Sequence, residues 1–303
     1  YINLGMLYRT WKKYDQSEEA LKKAIDIKPD DNKAYISLGR LYRHWKKYDQ
    51  SEEALKKAID IDPNDNKTYL NLGKLYRRWR KYEKAEEALK RAIDINPNDE
   101  NAYINLGILY RFWRKYEQAE VVFKKVLDID PNDNNAYINL GKLYRIWRRY
   151  EQLEEVLKRA IDMKPNNEIA LGLLASSYQE QGKRDLAYEY FEKVNRLRAR
   201  NYNPVTKHNY QRLREIINKR GIKLVCVQYP MLSIESLKIV LEPKYGVVFV
   251  DNEKVFKSAV EKASYDEYFC DMFGGVFGHC TPKGNRLLAN NIADVIVKEH
   301  FNK

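Results

Sequence analysis

"YINLGMLYRTWKKYDQSEEALKKAIDIKPDDNKA", residues 1–34, recurs with light editing from Tyr35, Tyr69, Tyr103 and Tyr137, each time 34 residues further on. A period of that length means a stack of one supersecondary unit, because a single copy cannot bury its own apolar face. In the second copy Leu38, Tyr42 and Trp45 stand at i, i+4 and i+7, one stripe of a helix through "YISLGRLYRHW". A second helix runs through "QSEEALKKAIDI". It stops at "DPND", since Pro63 cannot continue a helix and biases Asp62 away from helical geometry. A sixth, degenerate copy from Leu171 keeps Leu174, Tyr178, Gly182, Ala187 and Phe191.

The set Tyr35, Leu38, Gly39, Tyr42, Ser51, Leu55, Ala58 and Pro63 resembles the tetratricopeptide repeat, with Tyr for the usual Trp and Leu for the usual aromatic. The resemblance covers residues 1–204 and implies an all-α superhelix of helical hairpins, five regular repeats and one degenerate. It also implies a protein- or peptide-binding scaffold, with a concave groove lined by the first helix of each hairpin, helix A.

The totals agree with a folded chain of two domains: 303 residues, 44% hydrophobic and 32% charged. A formal net charge of +12 favours anionic partners. Nucleic acid is not expected, because the aromatics fall mostly on repeat core positions and no nucleic-acid module is present. No segment approaches the roughly 18 uninterrupted apolar residues that a membrane helix needs. Cys226, Cys270 and Cys280 have no metal-like spacing, and neither a metal nor a cofactor is expected. The chain opens at Tyr1 without an initiator Met, which predicts a piece of a larger gene product and leaves its location open.

Trp11, Trp45, Trp79, Trp113 and Trp147 share one repeat position, where they are expected to cap the core at the turn between helices. Arg9, Arg43, Arg77, Arg111 and Arg145 follow the stripe's tyrosine by one residue and form a second stripe with Ile36 and Arg40, or Leu70 and Lys74. In tetratricopeptide repeats that second stripe faces the groove. Asn71, Asn105 and Asn139 lie near it, and in similar proteins such asparagines hold the backbone of an extended peptide. Planar guanidiniums at a regular rise suit carboxylates or phosphates and predict an acidic partner. The competing reading pairs each arginine with a glutamate, or stacks it on a tyrosine, of the next repeat. A basic rim at the A–B turns faces an acidic one at the "DIDPND" turns, a pattern that also permits self-association into filaments.

From residue 205 to residue 303 the period is lost. Thr206 is expected to open a helix closed by Gly221, followed by a buried parallel strand in "IKLVCVQYP", a helix in "SIESLKIVLE" and a second strand in "GVVFVD". A helix around "EKVFKSAVEKA" and a last one from Pro282 complete an α/β segment too short in strands to stand as a sheet of its own. His279, Thr281, Gly284 and Ala289 resemble the final block of SGNH (GDSL-type) hydrolases, half of a flavodoxin-like domain. The resemblance implies a histidine base for a serine nucleophile. The orienting Asp belongs three residues earlier, where Val276 stands; Asp271 is the nearest acid. No Gly-Asp-Ser block precedes it, so the chain as it stands is not expected to hydrolyse esters. An esterase or acyltransferase would need a nucleophile from upstream sequence.

Overall fold

The computed structural model describes residues 1–200, 204–231, 234–241, 246–270 and 278–300. The chain divides into two compact units, Tyr1–Arg148 and Arg149–Lys303.

The first unit is a run of antiparallel helices: α1 (Ile2–Thr10), α2 (Tyr14–Ile27), α3 (Asn32–Trp45), α4 (Tyr48–Ile61), α5 (Asn66–Arg78), α6 (Tyr82–Ile95), α7 (Glu100–Phe112), α8 (Tyr116–Ile129) and α9 (Asn134–Trp147). Odd-numbered helices are the A helices, and the even-numbered partners are helix B of each repeat. The A helices start earlier than the apolar pattern suggests, because the aspartate two residues after the turn proline caps them: Asp31 accepts from the Lys33 N–H, and Asp65 from those of Lys67 and Thr68. Each hairpin closes on a glycine. A Cβ on Gly39 would lie 2.7 Å from Leu55 Cγ, and one on Gly107 2.5 Å from Phe123 Cε1, so only glycine lets A and B helices approach this closely. On the facing helix the Ser17 and Ser51 hydroxyls donate to the Gly5 and Gly39 carbonyls at 2.6 Å. Successive A helices touch one another, α1 with α3, α3 with α5, α5 with α7 and α7 with α9, which puts them on the inner side of this unit.

Neighbouring repeats are joined by a recurring polar link. Tyr42, Tyr76, Tyr110 and Tyr144 donate their hydroxyls to Glu18, Glu52, Glu86 and Glu120 of the preceding repeat at 2.8–3.0 Å. Burial and these carboxylates push the phenols of Tyr42, Tyr76 and Tyr110 well above the ordinary tyrosine range. Four of the five tryptophans pack as expected: Trp45, Trp79, Trp113 and Trp147 lie against Tyr14, Tyr48, Tyr82 and Tyr116 of the repeat before, ring centroids 5.6–5.8 Å apart, while Trp11 of the first repeat is exposed.

The A–B turn contains a strained residue. Lys12, Lys46, Arg80, Arg114 and Arg148 all have φ between 58° and 65°, the left-handed region, while the sixth repeat uses Gly182 there. Each such residue costs roughly 1 kcal/mol, partly offset by the greater freedom glycine gives the unfolded chain. The triple variant Lys46→Gly, Arg80→Gly, Arg114→Gly is therefore expected to be about 2 kcal/mol more stable. Thermal unfolding checks this, and an unchanged midpoint would show that the basic side chains recover the strain elsewhere.

The second unit holds α10 (Tyr150–Met163), α11 (Glu168–Glu180), α12 (Arg184–Arg200), α13 (Pro204–Lys219), β1 (Leu224–Val227), α14 (Glu235–Val240), β2 (Val247–Val250), α15 (Glu253–Lys262), α16 (Tyr265–Tyr268) and α17 (Pro282–His300). Helices α11 and α12 form the degenerate repeat. α13 begins at Pro204, not at Thr206, since proline is well suited to the first helical position. β1 and β2 pair in parallel, Leu224 with Val247 through Val227 with Val250. Among the described residues this is the whole sheet, so the flavodoxin-like fold expected for residues 205–303 reduces to two short strands. β1 is also half-buried rather than buried, with Val227 exposed, because two strands cover little of each other's faces. A small core of Phe256, Tyr268 and Phe269 packs against α17, and Tyr188 of α12 donates to Glu253 of α15.

Candidate functional site

The five stripe arginines sit one per A helix, Arg9 on α1, Arg43 on α3, Arg77 on α5, Arg111 on α7 and Arg145 on α9, and all are half-buried. Four of them have an unusual electrostatic setting. Among the described residues the shortest ion pairs of the regular repeats join lysines to glutamates within helix B, such as Lys56–Glu52 and Lys90–Glu86 at 2.7 Å, while Lys47–Glu18 and Lys115–Glu86 reach between repeats at 4.0 and 3.8 Å. No carboxylate lies at that distance from Arg9, Arg43, Arg77 or Arg111. Their charged neighbours are other cations, one another together with Arg40 and Arg78. Burial, then Arg40, Arg9, Arg77 and Arg78, bring the Arg43 guanidinium down to about 10. Burial and then Arg77 lower Arg111, burial and then Arg78 lower Arg77, and burial followed by Arg43, Arg40 and Arg77 lowers Lys74. Arg43 Nη1 and Arg111 Nε are buried and meet no hydrogen-bond acceptor. Arg77 and Arg111 do stack on an aromatic ring, but it is Phe112, with guanidinium carbons 5.2 and 5.3 Å from its centroid. The pairing with glutamate or tyrosine of the next repeat is thus not what holds these four.

The asparagines are partly occupied. Asn71, Asn105 and Asn139 each donate an amide N–H to the carbonyl four residues back in their own helix, at 2.8, 2.6 and 2.9 Å. Asn71 and Asn105 are half-buried and keep an amide oxygen able to accept a hydrogen bond, whereas Asn139 is buried.

His279 is exposed beside a cavity of about 360 Å³ at the carboxyl end of β1, lined also by Gln228, Tyr229, Asn285 and Leu288. Asp271, the acid expected to orient it, lies outside the described residues. The rest of the motif has structural work. Thr281 Oγ1 accepts from the Gly284 N–H at 3.1 Å, and its own hydroxyl donates to the Glu267 carbonyl at 2.6 Å. A Cβ on Gly284 would fall 2.2 Å from the Tyr268 carbonyl oxygen, so only glycine lets α17 start here. The Cys270 N–H donates to the His279 carbonyl at 2.7 Å, pinning the histidine's backbone across an isolated antiparallel bridge.

Two family models described as tetratricopeptide repeat match this chain, one at residues 33–65, 67–99 and 100–133, the other at 1–31, 135–167 and 169–201. The chain belongs to the tetratricopeptide-repeat family. Solved structures agree on the fold. PilW, described as a widely conserved type IV pilus biogenesis factor, is 21% identical with a TM-score of 0.55, covering 67% of this chain and 93% of its own. A tetratricopeptide repeat protein from Parabacteroides merdae is 22% identical, TM-score 0.54, with coverages of 73% and 85%. Pseudomonas aeruginosa PilF is 24% identical, TM-score 0.53, with coverages of 65% and 90%. The comparison with curated proteins found no match.

In this tetratricopeptide-repeat array one position escaped the sequence reading, the residue between the stripe's arginine and the tryptophan. Phe112 occupies it in the fourth repeat, more than half exposed. The signal was available, because it is among the few positions whose chemistry changes from copy to copy. Among the described residues no helix is long and apolar enough to cross a membrane, and no cluster of His, Cys, Asp and Glu has the form of a metal site.

Proposed function

We propose that residues 1–204 form a tetratricopeptide-repeat scaffold whose A-helix stripe takes an extended, acidic protein segment, with residues 205–303 as a separate domain. The observation that carries this reading is the pair of buried, partnerless N–H groups on Arg43 and Arg111 within a row of mutually repelling cations. Such groups raise the energy of the empty protein, and carboxylates laid along the stripe would satisfy them and neutralise the row. The amide oxygens of the half-buried Asn71 and Asn105 add acceptors for the ligand's backbone, a role that burial denies to Asn139.

The reading makes stability and binding oppose each other at one residue. Because burial and like charge disfavour the charged Arg43, its penalty on the fold is present below about pH 10 and fades as the pH rises through that value. Arg43→Met is accordingly expected to raise the unfolding midpoint at neutral pH by a few degrees, ~1 kcal/mol, while weakening a fluorescein-labelled hexaglutamate peptide at least tenfold. Melting and fluorescence anisotropy at low salt measure the two. A variant that is less stable and binds as before would overturn the reading.

The cavity beside His279 supports a second reading, since ligands of open α/β sheets bind at the carboxyl ends of strands. In it, residues 205–303 are the histidine-bearing half of an SGNH-type hydrolase whose serine lies in sequence outside this chain. The intact protein from its source should then react with a fluorophosphonate probe, and His279→Ala should abolish labelling. An unlabelled intact protein would remove the enzyme reading.

A further inference from the structure

Near-identical repeats act as internal controls: where one surface position changes from copy to copy, the copies differ in what they present. The position between arginine and tryptophan reads Thr10, His44, Arg78, Phe112 and Ile146, all five exposed. One turn earlier the half-buried residues are Met6, Arg40, Lys74, Ile108 and Lys142. Apart from Lys142 on α9, which returns to a cation, the changes are ordered along the array. Around Arg43 and Arg77, helices α3 and α5 add Arg40, His44, Lys74 and Arg78, and His44 is itself held below its ordinary range by burial and by Arg43, Arg9, Arg78 and Arg40. Beyond them α7 and α9 present Ile108, Phe112 and Ile146 on the same faces, Phe112 55% and Ile146 53% exposed. The Phe112 ring has the Arg77 and Arg111 guanidiniums against it, which holds an apolar surface beside the cationic row.

We propose that this stripe is graded, and that its partner is an extended protein segment carrying acidic residues followed along the groove by a large apolar residue. The acids lie over α3 and α5, and the apolar side chain lies against Ile108, Phe112 and Ile146. This rests on the reading that the A-helix stripe is the binding face. The spacing follows from elementary dimensions. Packed helices stand about 8–10 Å apart, and an extended chain advances about 3.3 Å per residue, so one A helix corresponds to about three ligand residues. Acids about three residues apart, with the apolar residue about three further on, would keep step with the array. Regularly spaced cations alone accept any polyanion. The apolar end selects among them, because burying a large side chain of the partner against these three adds an increment that salt does not screen.

Three fluorescein-labelled peptides test this on the whole chain: hexaglutamate, hexaglutamate followed by Phe-Leu, and Phe-Leu followed by hexaglutamate. One of the two apolar-bearing peptides, whichever matches the direction of the ligand chain, should bind about tenfold more tightly than hexaglutamate. That gain should persist at high salt and disappear in Phe112→Ser with Ile146→Ser, measured against hexaglutamate on the same variant. Both side chains are exposed, so circular dichroism and melting should be unaffected. Equal affinity for all three peptides, or a gain that survives the double substitution, overturns the graded stripe and leaves acid binding intact. Binding of none of them overturns both.

Discussion

Arg77→Glu combined with Arg111→Glu is expected to weaken capture of an acidic peptide by at least a hundredfold. Both guanidiniums are half-buried, neither has a carboxylate partner among the described residues, and both lie within about 5.3 Å of the Phe112 ring centroid. A hydrogen bond to a charged partner is worth roughly 1.5–3 kcal/mol, and reversal of charge adds repulsion to its loss. Two such sites therefore remove more than the roughly 3 kcal/mol that a hundredfold requires. The fold is not expected to suffer, since each glutamate would relieve the repulsion among Arg43, Arg77, Arg78 and Arg111. A control separates the stripe from net charge. Lys57→Glu with Arg91→Glu makes the same change in charge at exposed positions on α4 and α6 and should cost only a small factor that salt screens away. If the control weakens binding as much as the stripe variant, or the stripe variant binds within threefold of the parent, the stripe is not the site.

The largest effect on stability is expected from Phe123→Ala. Phe123 is fully buried on α8 and fills the space left by Gly107 on α7, the place taken by Leu21, Leu55 and Leu89 in the first three repeats. Truncation removes a ring from a site whose backbone cannot collapse around it, because both helices are held by their own hydrogen bonds. The cost is about 3–5 kcal/mol, on the order of a 10 °C fall in midpoint. Repeat arrays are stabilised mainly by nearest neighbours, so the damage should be local, and hydrogen exchange should find faster opening in α7 and α8 than in α3 and α4. Phe123→Leu restores the residue used by the earlier repeats and should cost less than about 1.5 kcal/mol. Equal losses for the two variants would show that the site is not a packed pocket.

Much of this architecture was legible in the amino-acid order. A 34-residue period, apolar residues at helical spacing, a glycine fixed in the first helix and a proline after each second helix are local or near-local facts. Every one of them reappears as a hairpin, a close A–B contact or a helix end. Even the αL turn had a signal, since Gly182 marks in the sixth repeat what a lysine or arginine endures in the other five. The α/β segment was less legible. Its motif residues Thr281 and Gly284 were read for chemistry, yet they close a turn against Glu267 and Tyr268, more than ten residues away in sequence.

The sequence by itself determined the repeat, its two helices and which face of each helix carries arginine, because helix geometry converts spacing into sidedness without reference to the rest of the chain. Only the tertiary structure decided how those arginines are treated. Arg43 and Arg111 bury N–H groups without acceptors, Phe112 lies against the guanidiniums of both Arg77 and Arg111, and the asparagine amides turn back onto their own helices. Charge, partnership and burial are set by distances between side chains on neighbouring helices 34 residues apart in the chain, and those distances exist only once the repeats have stacked.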